Sequence, residues 1–122
     1  MGKLTIDLNK EKNLLKLKFS GFFTDDEVAE TLIDLQYAID ELEPGFIVVN
    51  DVRLFKPAGV RGLDHIRNVM KYAASKGVKK VIRIAKELSL GSGQFNKVGS
   101  ELSDYRQYIV WTEEEAEALL AR

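Results

Sequence analysis

A chain of 122 residues, 45% hydrophobic and 30% charged, is the size and composition of one globular domain that buries a core without staples. The absence of cysteine excludes disulfides, thiolate metal sites and cysteine nucleophiles together. No apolar run matches a signal-peptide core or a membrane span, so the sequence predicts a cytoplasmic protein with no transmembrane segment.

In chain order, Leu4, Ile6 and Leu8 alternate with Lys3, Thr5 and Asp7, the period of a half-buried strand. Asn9 to Asn13 is polar and reads as a turn, and Leu15, Leu17 and Phe19 alternate again, which predicts an antiparallel hairpin. Gly21 breaks the second strand. Thr24-Asp-Asp-Glu27 is a capping box that opens a helix carrying Val28, Leu32, Leu35, Ile39 and Leu42 at helical spacing, and Pro44-Gly45 stops it. Phe46 to Val49 is continuously apolar, as in a strand buried on both faces of a parallel sheet. A loop with Pro57 and Gly59 leads to a second helix on Val60, Leu63, Ile66, Met70, Ala73 and Ala74, closed by Gly77. Val78, Val81, Ile82 and Ile84 form the next strand. Gly91-Ser92-Gly93 precedes a short helical pattern on Phe95, Val98 and Leu102; Tyr108 to Trp111 is the last strand; and Thr112 to Glu115 is a second capping box before Ala116, Leu119 and Leu120. The order β-β-α-β-α-β-α-β-α over a single domain, residues 1–122, predicts an α/β fold with a mixed sheet. In such sheets ligands gather at the carboxyl ends of the strands.

Charge is segregated along the chain. From Ser20 to Asp51 every formal charge is negative, whereas Arg53 to Lys97 holds eleven cations against Asp64 and Glu87. Within the basic stretch, Arg67, Lys71 and Asp64 share a helix neighbourhood by spacing. This polarity is open to two readings: a cationic surface for an acidic protein or an anionic headgroup, or a basic second helix neutralised by an acidic first one. Nucleic acid is not expected, because the pI is near 5.9 and the aromatics occupy core-like positions.

The layout resembles the STAS domain of anti-sigma factor antagonists and sulfate transporter tails, the SpoIIAA-like fold. The resemblance rests on LKLKFSGFFT (Leu15 to Thr24) as a second strand ending in glycine, FIVVND (Phe46 to Asp51) as a central strand ending in an acid, and Ala58-Gly59-Val60 as the start of the second helix. The closing stretch Val98 to Leu120 completes it. The resemblance implies a partner-binding surface around that helix start, here Asp51, Arg53, Lys56, Ala58, Gly59 and Arg61. Many relatives carry Asp-Ser-Ser-Gly there, with the second serine phosphorylated by a partner kinase. Lys56-Pro57-Ala58-Gly59 stands in its place, and Ala58 has no hydroxyl, so that switch is not carried over.

No catalytic constellation is legible. His65, the only histidine, has Asp64 adjacent in sequence and so pointing elsewhere; no serine sits in a nucleophile elbow; and the acids Asp25, Asp26, Glu27 and Glu30 fit capping and a solvated face better than a metal cage. Gly91, Ser92 and Gly93 with Lys97 could hold an anion at a helix N-terminus. Of Phe22-Phe23 and Leu54-Phe55, one of each pair is expected to cap the core. The sequence therefore predicts a non-enzymatic regulatory module without cofactor that binds a protein or its own copy, the alternative being a small anionic or amphipathic ligand.

Overall fold

The computed structural model describes residues 2–102 and 105–121. Met1 and Arg122, the bounds of the expected domain, and Ser103-Asp104 in its closing stretch lie outside the described residues. The expected order appears as β1 (Lys3–Asn9), β2 (Leu14–Gly21), α1 (Asp25–Asp40), β3 (Ile47–Phe55), α2 (Val60–Ser75), β4 (Lys80–Ile84), α3 (Leu90–Ser100), β5 (Arg106–Val110) and α4 (Glu113–Leu120). The sheet runs β1-β2-β3-β4-β5, with β1 antiparallel to β2 and all other neighbours parallel. Each parallel step needs a crossover, and α1, α2 and α3 supply them.

Period-two alternation sorts the central strands into two faces. Val48, Val52, Val81 and Ala85 point into the larger core with Leu15, Leu17 and Phe19, beneath Leu32, Leu35, Ile66, Val69 and Phe95 of α1, α2 and α3. Val49, Ile82, Ile84 and Val110 point the other way, where α4 covers them through Ala116, Leu119 and Leu120. The continuous apolar runs of β3 and β4 are thus the signature of a sheet covered on both sides. Full burial of each such side chain contributes about 1.5–3 kcal/mol.

Chain reversals follow local chemistry. Thr24 accepts from the Glu27 amide while Glu27 accepts from the Thr24 amide, closing the capping box of α1. At α4, Thr112 accepts from the Glu115 amide, but the Glu115 carboxylate takes the amide of Trp111 and the hydroxyl of Thr112. This cap reaches one residue further back than the sequence spacing predicts. Gly77 ends α2 at φ +91, the left-handed region that costs glycine nothing. Its carbonyl accepts from Gly45 at 2.7 Å, so the turn that stops α1 is stitched to the end of α2.

Several element ends shift by one or two residues from expectation, and two boundaries differ by more. β3 continues six residues past Val49, because Asp51 and Arg53 satisfy one another on one face while Val52 and Phe55 fill the other. Helix α3 starts at Leu90 with Ser89 as its cap, so Gly91 and Gly93 lie inside the helix rather than before it.

Candidate functional site

The β2–α1, β3–α2 and β4–α3 connections emerge at the carboxyl ends of the parallel strands. Beneath them Phe19, Phe23, Phe55 and Phe95 form a ring cluster with centroids 4.9 to 6.0 Å apart. Phe23 and Phe55 are buried and their neighbours Phe22 and Leu54 are exposed, so each aromatic-bearing pair sends one side chain inward. The cluster fixes the loops from below, and Lys56 donates its backbone N–H to Gly21, tying two of them together.

The residues expected to form a partner surface divide between two sides of this end. Asp51 and Arg53 face α4. The Asp51 carboxylate accepts from Arg53 Nε at 3.0 Å, Nη2 at 2.8 Å and the Arg53 backbone N–H at 3.1 Å. Burial alone would raise the Asp51 pKa, but these hydrogen bonds and the charge of Arg53 and Lys18 overcome it and hold the carboxyl below its ordinary range. Arg53 also reaches Glu113 in the first turn of α4, at 3.1 Å. Gly59 and Arg61 face α1 instead: Asp25 accepts from the Gly62 amide at 3.0 Å and pairs with Arg61 at 3.5 Å. Ala58 is clamped by Gln94, whose amide both accepts from its N–H and donates to its carbonyl. Lys56 is exposed, and among the described residues no carboxylate lies within ion-pair distance of it.

The charge segregation is neutralised only in part within the fold. Asp25 and Asp40 of α1 pair with Arg61 and with Lys76, which follows α2. Arg67 is taken by Asp64 and Glu101. The exposed lysines Lys56 and Lys86, beside the strand ends, have no such partner among the described residues.

The four residues proposed for an anion do not converge. The Ser92 hydroxyl is fully buried, donating to the Val52 carbonyl and accepting from the Lys86 amide. Gly91 is pressed against the Phe55 carbonyl, while Gly93 faces open space. Lys97 is exposed in the last turn of α3, far along the helix from its start. His65 is half-buried on α2, and among the described residues nothing hydrogen-bonds its ring. Among the described residues no three acidic or imidazole groups gather as a metal site, and no helix is long and apolar enough to cross a membrane.

Two features were legible in the sequence only in part. The first is an apolar rim. Phe22, Leu54, Val60, Leu88, Leu90 and Trp111 are all exposed at the carboxyl ends of the strands, in the turns that follow them or at the first residues of α2 and α3. Leu88 is 98% exposed and sits at φ 62, a left-handed conformation that costs a leucine about 1–2 kcal/mol. An open groove runs between the two central loops, lined by Leu54, Lys56, Pro57, Lys86, Leu88 and Leu90. Loop residues carry no periodicity, so hydrophobic pattern could not distinguish these leucines from core. The second is a polar pair, Asn50 and Arg83, buried in the larger core. Arg83 was legible as a charge inside the apolar run Val81 to Ala85.

No family model matches the sequence, and no curated protein matches it. Solved structures do match in fold. One is an uncharacterized protein of the DUF3478 family with a SpoIIAA-like fold from Shewanella loihica PV-4, at TM-score 0.73 and 13% identity over 98% of this chain and 95% of that one. Another is an anti-sigma factor antagonist from Mycobacterium paratuberculosis, at TM-score 0.59 and 14% identity over 98% and 96% of the two chains. The chain therefore has the SpoIIAA-like α/β fold that the resemblance implied.

Proposed function

We propose that this domain is a non-enzymatic, cytoplasmic regulatory module that docks a protein partner on the loops at the carboxyl ends of β3 and β4. The observation that carries the reading is the exposed rim of Leu54, Leu88 and Leu90 flanked by Lys56 and Lys86. Apolar anchors beside unpaired cations are the composition of a docking surface for a partner with an apolar patch and acidic edge. A leucine held in solvent by a strained backbone supports the same reading, since such strain persists where function requires it.

Similarity in fold to an anti-sigma factor antagonist supports a regulatory role. The switch that phosphorylates such proteins at the second helix has no acceptor here. Ala58 occupies the position, and its backbone is held by Gln94. Regulation would then act through the abundance or occupancy of the partner rather than a phosphate at this helix. Of the six residues the resemblance implicated, Lys56 is the one we place in direct contact with a partner. Asp51, Arg53, Ala58, Gly59 and Arg61 shape and brace the loop beneath it.

The reading is tested by affinity capture and quantitative mass spectrometry of wild type against Leu54→Ser/Lys56→Glu/Leu88→Ser. These positions are exposed, so the variant should fold as wild type does. Captured proteins specific to this domain should fall at least tenfold with the variant. Equal capture by the two proteins rejects this surface.

A further inference from the structure

Asn50 and Arg83 stand where the core should be wholly apolar. They are register partners in the adjacent central strands β3 and β4. Their neighbours on the same face, Val48, Val52, Val81 and Ala85, all belong to the larger core. Arg83 is 1% exposed and Asn50 6%. A guanidinium stays charged at any pH a folded protein meets, and a buried charge without a counter-charge is strongly unfavourable. Among the described residues no carboxylate pairs with Arg83. One terminal nitrogen reaches Gln107 Oε1 at 3.5 Å, the outer limit of a hydrogen bond. Among the described residues Arg83 Nε and Asn50 Oδ1 have no hydrogen-bond partner. Burial pushes the guanidinium below its ordinary pKa against the opposing influence of Tyr105.

The fold nonetheless makes room for this charge. Gly99 lies inside α3, and a Cβ there would stand 2.8 and 2.9 Å from the terminal nitrogens of Arg83. Helical glycine is destabilising by roughly 0.5–1 kcal/mol relative to alanine. The space it leaves is shared by the guanidinium and by Gln107 Oε1, 2.6 Å from that Cβ position.

Asn50 and Arg83 line one cavity of about 50 Å³ between the sheet and the layer of α1, α2 and α3. Its other walls are almost entirely apolar, among them Leu32, Ile66, Met70 and Phe95. One water needs roughly 10–15 Å³ and two to four polar partners. The cavity exceeds one water, and its walls cannot satisfy a cluster of them.

We propose that this cavity binds a short-chain monocarboxylate, its carboxylate on Arg83 Nε–H and Asn50 and its alkyl end among the side chains of α1, α2 and α3. The carboxylate supplies an acceptor for Arg83 Nε–H and a counter-charge that no carboxylate among the described residues provides. A half-turn of the Asn50 amide presents its NH₂ to the second oxygen. Met70, with a flexible thioether chain, lets the apolar end adjust to a longer ligand. This site lies inside the core, separate from the rim, and stands whether or not the rim docks a protein.

The test is a titration of the full-length chain with sodium acetate and sodium butyrate at constant ionic strength, read by NMR at the Arg83 Nε–H and the methyls of Ile66 and Met70. Sodium chloride is the control. Saturable shifts are expected with butyrate tighter than acetate and none with chloride, along with a melting temperature that rises with butyrate concentration. Arg83→Met should lose at least tenfold in butyrate affinity yet melt no lower than ligand-free wild type, because it removes a buried charge that pairs with no carboxylate among the described residues. Asn50→Asp places a carboxylate beside the guanidinium and should likewise abolish binding while raising the melting temperature; it decides the question if Arg83→Met fails to fold. Equal shifts in the variants, shifts with chloride alone, or a butyrate-soaked crystal showing only waters between Asn50 and Arg83 overturns the proposal.

Discussion

Gly91 and Gly93 sit two residues apart in the first turns of α3 and have opposite reasons for being glycine. A Cβ at Gly91 would lie 1.8 Å from the Phe55 carbonyl oxygen, whereas at Gly93 nothing lies within 4 Å. Gly91→Ala must push α3 off the end of β3 and disturb the phenylalanine cluster, so we expect a loss of about 3 kcal/mol, the upper range of overpacking. Gly93→Ala should instead stabilise by roughly 0.5–1 kcal/mol, since it removes only backbone freedom from a helix interior. Urea denaturation of the two variants checks both signs. The sequence shows a Gly-Ser-Gly triplet and cannot say which glycine touches backbone, because that contact comes from a residue 36 positions away.

Asp51 gives the residue scale a pH dependence. Its carboxyl is held below the ordinary value of about 3.9, because the hydrogen bonds from Arg53 outweigh the effect of burial. A folded-state pKa below the unfolded one contributes stability that is complete above the unfolded value and lost as pH falls through the folded value. Wild type should therefore lose stability below about pH 4 more steeply than Asp51→Asn, and the two denaturation midpoints should converge in acid. Midpoints measured from pH 7 to pH 2 decide this; a gap that stays constant over that range would falsify the linkage.

At the scale of elements, caps carry separable increments of stability. Thr24 and Glu27 satisfy two backbone amides at the start of α1, and Thr24→Ala should cost about 1 kcal/mol. Thermal melts followed by circular dichroism measure it, and Glu27→Ala should lose part of the same increment. These motifs were readable because a cap is local, and so were the nine elements, since each carries its own period. What was not readable came from packing between elements. The extension of β3 to Phe55 depends on the Asp51–Arg53 pair and on Phe55 finding Phe19 and Phe95. The partner-site residues were adjacent in sequence, yet Asp51 and Arg53 turn toward α4 while Gly59 and Arg61 turn toward α1. Only the topology reveals that divergence.

Across the whole molecule the two faces of the sheet are unequally covered. Three helices and the phenylalanine cluster bury one face. The other is covered by α4, an eight-residue helix whose only buried residue is Ala116, aided by partly buried Leu119 and Leu120. Polar ties add to it: Lys80 Nζ donates to the Leu119 carbonyl at 2.9 Å, Arg53 reaches Glu113, and Lys16 pairs with Glu117. The last two are largely exposed pairs, of a kind that contributes roughly 0–1 kcal/mol each. A helix this short is not stable alone in water, so its docking energy is small beside that of the three-helix face. Local opening of a domain follows such gradients. Native-state hydrogen exchange should show the amides of α4 opening several kcal/mol below those of β3 and β4, on the order of half the global stability or less. Amides of α4 that exchange only with global unfolding would show that the two faces act as one cooperative unit.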